Sequence, residues 1–196
     1  MKKEIAMLLL MGGKSSRMGQ NKAMLTYKGK TFWEKIIEEM QCCGKVYLSV
    51  DCKAHAPCET YPIIEDQYAS IGPLGGIYTA LLEISEEYVF VCACDTPQID
   101  RKLIEKLCVY VTEQWDGVMI EDEKGRCYAT AGIYSKKMLR TMEQMIRSKN
   151  YRLQSLIRQS KICYIRLEDL GLGEEVLFNV NTPEEYKQIC LSVERN

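Results

Sequence analysis

The chain has 196 residues, of which 46% are hydrophobic and 27% are charged, and its formal net charge is −1 at pH 7. This charge balance excludes proteins that bind nucleic acid through a large basic excess. The apolar runs are shorter than the roughly 18 residues of a membrane span. Glu4 and the short apolar run after it distinguish the N-terminus from a secretory signal. We therefore predict one cytoplasmic domain over residues 1–196, without nucleic-acid or membrane partners.

Apolar runs alternate with amphipathic segments along the chain. Strands are predicted at 4–11, 46–50, 62–66, 88–94 and 161–167, with a β-hairpin around EDEKGR (121–126). Helices are predicted from Thr31 to Gly44, from about Gly76, at 101–114 after Asp100, over KKMLRTMEQMI and YRLQSLIRQ, and after Thr182. The T-x-x-E pattern after Thr31 and Thr182 is typical of a capping box. This alternation predicts a three-layer α/β fold with a mostly parallel central sheet, which binds ligands at the carboxyl ends of its strands.

Ten cysteines are many for a chain of this length, and most lie inside apolar runs. In a cytosolic protein such cysteines are usually reduced, buried and structural. The alternative is a metal or redox site, but CxxC is absent and the single histidine is His55. The one CxC pair, Cys92 and Cys94, lies on one face of a predicted strand. We therefore favour structural cysteines.

The stretch LLLMGGKSSRMGQNK (8–22) follows the first predicted strand. Gly12 and Gly13 allow close approach of backbone N–H groups to a ligand, and Lys14, Arg17 and Lys22 add positive charge. The spacing matches neither the Walker A motif nor the dinucleotide fingerprint GxGxxG. The stretch predicts a polyphosphate-binding loop of another type, although a flexible basic turn would have a similar composition.

Asp95 ends a strongly apolar strand. An aspartate there is often only a turn former, but the predicted sheet places it at the same edge as the glycine-rich loop. Mg²⁺ is commonly held by one or two carboxylates together with phosphate oxygens. Asp95 is therefore a candidate Mg²⁺ ligand. Nucleotidyl transfer depends on positioning and charge neutralisation rather than on a protein nucleophile, so the scarcity of histidine is no obstacle.

Four blocks together carry a family resemblance. They are LLLMGGKSSRMGQNK with the following helix, IIEDQYASIGPLGGIYTAL, VCACDTPQI and NVNTPEEY. In this order they resemble the molybdenum cofactor nucleotidyltransferases, and the guanylyltransferase branch in particular. The resemblance implies a Rossmann-like nucleotidyltransferase fold. It also implies transfer of GMP from GTP to molybdopterin-bound molybdenum with Mg²⁺, and as partners a molybdenum-insertion protein or a target molybdoenzyme.

The resemblance also assigns site residues. The nucleotide-binding positions it implies are Leu10, Met11, Gly12, Gly13, Lys22, Ser49, Asp66, Gly75 and Asp95. Arg17, Lys22 and Asp95 are implied as catalytic, with Asp95 holding the metal. Asn179 and Asn181 are implied to contact the molybdopterin side. Met11 replaces an alanine usual in the family, and Ser49 stands where the guanylyl enzymes often have asparagine.

Three alternatives remain open at this point. The cytidylyl branch would use CTP, although Gly12 and Asn179 favour guanine. A related nucleotidyltransferase could act on a different phosphorylated acceptor, such as a sugar phosphate. A non-catalytic protein could bind the nucleotide or carry the cofactor, although it would not need the glycine loop, Lys22 and Asp95 together.

Overall fold

The computed structural model describes residues 3–12, 22–68 and 70–193. Nine strands form two sheets in this part of the chain. They are β1 (Ile5–Leu10), β2 (Thr26–Tyr27), β3 (Lys30–Thr31), β4 (Val46–Val50), β5 (Ile63–Glu65), β6 (Tyr88–Ala93), β7 (Gly117–Glu121), β8 (Cys127–Ser135) and β9 (Ile162–Arg166). Strands β2 and β3 pair as a small separate ribbon.

The other seven strands form the central sheet, in the order β5-β4-β1-β6-β8-β7-β9. Strands β5, β4, β1 and β6 run parallel to one another. Strand β8 is antiparallel to both of its neighbours, while β7 and β9 are again parallel. The predicted mostly parallel sheet is therefore confirmed, and so is the hairpin, which is formed by β7 and β8.

Helices cover both faces of the sheet. They are α1 (Phe32–Met40), α2 (Pro73–Glu83), α3 (Arg101–Val109), α4 (Leu139–Arg147), α5 (Leu153–Arg158) and α6 (Pro183–Val193). Alternate residues of β1 point to opposite faces, as the pleat of a strand requires. Met7 and Leu9 pack with α1 and α3 on one face. Leu8 packs with α2, α4 and α5 on the other. This arrangement confirms the three-layer α/β fold.

Both predicted capping boxes are present. The Thr31 hydroxyl accepts from the Glu34 N–H, and the Glu34 carboxylate accepts from the Thr31 N–H at 2.8 Å. Before α6, the Thr182 hydroxyl accepts from the Glu185 N–H at 3.2 Å, and the Glu185 carboxylate accepts from the Thr182 N–H at 2.9 Å. Each box satisfies N–H groups that the first turn of a helix leaves unpaired.

Several helix boundaries differ from the prediction; α1, for example, ends at Met40 rather than at Gly44. Helix α2 begins at Pro73 rather than near Gly76, because proline is well suited to a first helical position and Gly72 before it adopts φ 73°. Helix α3 ends at Val109 rather than at residue 114. Val109, Val111 and Thr112 are β-branched at that point and favour helix less than unbranched residues do.

The cysteines and the search for membrane spans complete this description. All ten cysteines are free thiols, but only Cys92, Cys94 and Cys127 are buried, so the expected burial is confirmed for three and wrong for the others. Cys92, in β6, and Cys94, just after its end, lie in the same apolar cluster. Within the described residues, none of the helices has the length and apolar character to cross a bilayer.

Candidate nucleotide site

The four parallel strands β5, β4, β1 and β6 all end at the same edge of the sheet. The chain leaves these strands at Glu65, Val50, Leu10 and Ala93. Just beyond those ends lie Asp66, Asp51, Gly12 and Asp95. The sequence blocks that are far apart along the chain therefore meet at one edge, as expected for a ligand site in a parallel sheet.

Asp95 lies in the turn after β6, where its side chain is 22% exposed. Its carboxylate oxygen Oδ2 is 3.6 Å from Nζ of Lys22, the last residue of the glycine-rich stretch. Burial raises the pKa of Asp95, and the nearby positive charge of Lys22 opposes that rise. The two predicted catalytic residues that the structure describes thus form an ion pair with part of each side chain open to solvent.

Asn179 and Asn181 join this pair from the C-terminal end of the chain. Lys22 Nζ donates to the amide oxygen of Asn181 at 2.6 Å. The hydroxyl of Thr96 donates to the amide oxygen of Asn179 at 2.8 Å. The backbone between the two asparagines is tied to the same place, because the Val180 N–H donates to the Asp95 carbonyl at 2.8 Å.

Thr96 is a site residue that the sequence did not reveal. It is 1% exposed and is one of the few buried polar side chains. In the sequence it reads only as part of a turn after Asp95. A threonine directly before a proline at a strand end gave no sign of a partner 83 positions away.

Asp66 lies at the end of β5, against the first turn of α2. Its carboxylate accepts from the Tyr68 N–H at 2.8 Å. Burial raises the pKa of Asp66, while the hydrogen bonds from the Tyr68 backbone and the Thr79 hydroxyl lower it. A methyl group on Gly75 would lie 2.7 and 2.8 Å from the two carboxylate oxygens. Glycine at position 75 therefore makes room for Asp66, and the two predicted residues form one unit.

Leu10, Met11 and Ser49 contribute mainly through their backbone. The Met11 N–H donates to the Ser49 carbonyl at 2.8 Å, and the Leu10 carbonyl accepts from the Cys94 N–H at 3.1 Å. Leu10 and Ser49 are buried. The Ser49 side chain lies under α2, where a methyl group on Gly76 would be 2.5 Å from its hydroxyl oxygen. The structure thus places Ser49 against the helix rather than on open surface.

Gly12 is exposed at the end of β1. Among the described residues, a methyl group built on it would meet only the Asp51 nitrogen, at 3.9 Å, which is an ordinary contact. Packing against the described part of the chain therefore does not require glycine here. Gly13 and Arg17, which were also predicted to contact the nucleotide, lie outside the described residues.

Asp51 and His55 form a further polar pair beside Gly12. Nδ1 of His55 lies 2.9 Å from a carboxylate oxygen of Asp51, and both side chains are mostly exposed. The hydrogen bond to His55 is the main cause that lowers the pKa of Asp51. The spacing of four residues between Asp51 and His55 is the only sign of this pair in the sequence.

The acidic groups at this edge are arranged singly. Within residues 3–12, 22–68 and 70–193, no three His, Cys, Asp or Glu side chains come together as metal ligands. Asp95 nevertheless has a partly exposed carboxylate whose oxygens lie no closer than 3.5 Å to Thr96 Oγ1 and 3.6 Å to Lys22 Nζ. One available carboxylate suits a Mg²⁺ ion that takes its remaining ligands from phosphate and water.

Similar proteins share both the sequence and the fold of this chain. A relative from a Geobacillus species, "Probable molybdenum cofactor guanylyltransferase", is 31% identical over 95% of this chain and 98% of its own length. A protein of the same description from Carboxydothermus hydrogenoformans is 31% identical over 94% of each chain.

A solved structure shows the same architecture. Molybdopterin-guanine dinucleotide biosynthesis protein A from Archaeoglobus fulgidus superimposes with a TM-score of 0.82. The match covers 97% of this chain and all of that one, at 18% sequence identity, and so concerns the fold alone. The family model of the MobA-like NTP transferase domain matches residues 7–163. This chain belongs to the MobA-like NTP transferase family, and is a nucleotidyltransferase.

Proposed function

We propose that this protein transfers GMP from GTP to the molybdopterin phosphate of the molybdenum cofactor and releases pyrophosphate. The observation that carries the proposal is the Lys22–Asp95 pair at the carboxyl edge of the sheet, with Asn181 bound to the same lysine. A cation and a carboxylate held side by side can serve a triphosphate and its metal ion at once. The full-length similarity to proteins described as guanylyltransferases supports this choice of substrate.

In this proposal the chain's own residues bind and orient the reactants. An oxygen of the acceptor phosphate attacks the α-phosphorus of GTP, and the bond from that phosphorus to the bridging oxygen of pyrophosphate breaks. Lys22 neutralises charge on the phosphates, and Gly13 and Arg17 are predicted to assist. Asp95 would hold Mg²⁺, which supplies further charge neutralisation when bound.

The nucleoside half of GTP is assigned to the other aspartate. Asp66 presents a carboxylate that accepts hydrogen bonds, which suits ribose hydroxyls or the N–H groups of guanine. Gly75 keeps that carboxylate in place. Leu10, Met11 and Gly12 border the same space through their backbone. Asn179 and Asn181 lie towards the acceptor.

The wider context of the reaction is also part of the proposal. The chain would act as one domain, because its C-terminal segment contacts Asp95 and Lys22 directly. It would work in the cytoplasm. Its protein partners would be a molybdenum-insertion protein and the target molybdoenzyme.

The test is turnover of defined substrates. Purified protein is incubated with Mg²⁺, molybdenum-loaded cofactor and either GTP or CTP, and the release of pyrophosphate and the formation of the dinucleotide are measured. We expect product with GTP. Product with CTP alone would move the chain to the cytidylyl branch, and binding of GTP without pyrophosphate release would indicate a carrier.

Gly12 provides a sharper test of base preference. The Gly12→Ala variant is expected to keep its unfolding temperature, because its methyl group meets only ordinary contacts. If the space at position 12 serves a purine, the variant binds GTP about tenfold more weakly and changes CTP binding less. Equal losses for both nucleotides would contradict that role for Gly12.

A further inference from the structure

The segment Asn179–Asn181 lies beyond residue 163, where the family match ends. It nevertheless lies against the turn that carries Asp95, because the Val180 N–H donates to the Asp95 carbonyl at 2.8 Å. Val180 itself is fully buried, in a small apolar cluster with Leu25 and Phe32. Both asparagine side chains are therefore attached to a backbone with little freedom to move.

Asn181 acts directly on the lysine. Its amide oxygen lies 2.6 Å from Lys22 Nζ, while the nearer carboxylate oxygen of Asp95 is 3.6 Å away. An ammonium group has three hydrogen-bond donors on a flexible stem, so its position is set by the acceptors around it. The Lys22 side chain is only 16% exposed. The bond to Asn181 is the shorter of these two contacts and so helps to set where the positive charge lies.

Asn179 acts on the other half of the pair through Thr96. The Thr96 hydroxyl donates to the Asn179 amide oxygen at 2.8 Å. The Thr96 N–H donates to the Ala93 carbonyl at 3.2 Å, which closes the turn that presents Asp95. A buried hydroxyl without its acceptor would be costly, so this bond stabilises the turn in one conformation.

We propose that Asn181, and Thr96 together with Asn179, are positioning residues for Lys22 and Asp95, and that they set the affinity for the nucleoside triphosphate before any acceptor binds. The inference rests on the proposed function in that the triphosphate binds at Lys22 and Asp95. It extends the role of these asparagines from the acceptor side to the nucleotide side. The C-terminal segment then serves both substrates.

The experiment measures nucleotide binding in the absence of acceptor. Isothermal titration with Mg²⁺ and GTP, and separately with CTP, compares the wild type with Asn181→Ala, Lys22→Ala and the double variant. We expect Asn181→Ala to weaken binding about tenfold, the effect of losing one hydrogen bond to a charged group. In the Lys22→Ala background the same substitution should have little further effect, because Asn181 acts through that lysine.

Thr96 provides an independent second measurement. Thr96→Val removes the hydroxyl at nearly constant volume, whereas Thr96→Ser keeps it. We expect weaker nucleotide binding for Thr96→Val and recovery of most of the affinity for Thr96→Ser. Thermal unfolding of each variant without ligand checks that the variant is folded before its affinity is compared with that of the wild type.

The outcomes separate this inference from the proposed function. The proposed function is judged from wild-type turnover with GTP. The inference is judged from the ratio of variant to wild-type affinity, for whichever of the two nucleotides the wild type binds. Unchanged affinity in Asn181→Ala with a raised KM for the acceptor would overturn it. So would an equal loss from Asn181→Ala with and without Lys22.

Discussion

Two aspartates at one sheet edge have opposite surroundings. Asp95 faces a lysine, and its turn is held by Thr96 and by the backbone of Val180. Within the described part of the chain, none of the groups that shift the pKa of Asp66 is a cation. Its carboxylate instead accepts hydrogen bonds from the Tyr68 backbone N–H and the Thr79 hydroxyl. Burial raises the pKa of both groups. On the proposed function, the carboxylate paired with a cation serves the phosphates and metal, and the one held by neutral donors serves the nucleoside.

The largest expected effect comes from Asp95. We expect Asp95→Ala to lower kcat by about a thousandfold, the scale on which removing one preorganised electrostatic group acts. The fold should survive, because the side chain is at the edge of the sheet. The surface variant Asp169→Ala is the matched control and should keep full activity. Pyrophosphate release from both variants is the measurement, and substantial turnover by Asp95→Ala would break the assignment of the paired aspartate to catalysis.

Gly75 and Gly76 are adjacent in α2 but face different residues, Asp66 and the buried Ser49. In Gly75→Ala the new methyl would press on the Asp66 carboxylate, so we expect GTP affinity to fall about tenfold. In Gly76→Ala the methyl would press on the buried Ser49 hydroxyl, so we expect a loss of about 1–2 kcal/mol in the free energy of unfolding. Calorimetric titration and urea unfolding distinguish the two.

A second substitution checks this interpretation of the glycines. Ser49→Ala removes the oxygen that Gly76→Ala would strike, so the double variant should recover most of the lost stability. Both glycine variants gain similar helix propensity, which cancels in the comparison. Equal effects of the two glycine substitutions on GTP affinity would mean that the contact with Asp66 is not what matters at position 75.

Asp66→Asn tests the carboxylate that faces neutral donors. Because the pKa of Asp66 is raised in the folded protein, its stabilising contribution is complete below about pH 4 and is lost as pH rises through the folded pKa. The neutral amide avoids this loss. We expect Asp66→Asn to unfold at a higher temperature than wild type at pH 7 and at nearly the same temperature at pH 3.5, while binding GTP several-fold more weakly.

The smallest expected effect concerns the capping box at Thr182, which begins α6 and lies next to Asn181. Thr182→Ala and Thr31→Ala each remove a capping-box hydroxyl, and each should cost about 1 kcal/mol of stability. The box at Thr182 also orders Asn181, whose N–H donates to Glu185 at 2.6 Å. GTP affinity should therefore decrease about twofold in Thr182→Ala only. A similar decrease in Thr31→Ala would indicate a general effect of lower stability.

The sequence predicted the fold closely because its apolar runs and capping boxes are local signals. It also placed Asp95 and the glycine-rich loop at one edge, since parallel strands carry their following loops there. The asparagines were assigned only through the family resemblance. It could not show that Thr96 meets Asn179, because that contact depends on where the C-terminal segment lies. It also could not show that Ser49 lies beneath Gly76, because that contact depends on how α2 packs on the sheet. The start of α2 was misjudged because two glycines usually argue against helix, yet here they admit Asp66 and Ser49.

The bond between Lys22 and Asn181 spans 159 positions of the chain. During synthesis the strands that precede Asp66 and Asp95 emerge long before residue 181 does. A nascent chain can therefore form most of the sheet while its lysine still lacks the asparagine. If Asn181 sets the affinity as proposed, a chain that has not yet reached residue 181 binds the nucleotide more weakly than one that contains it.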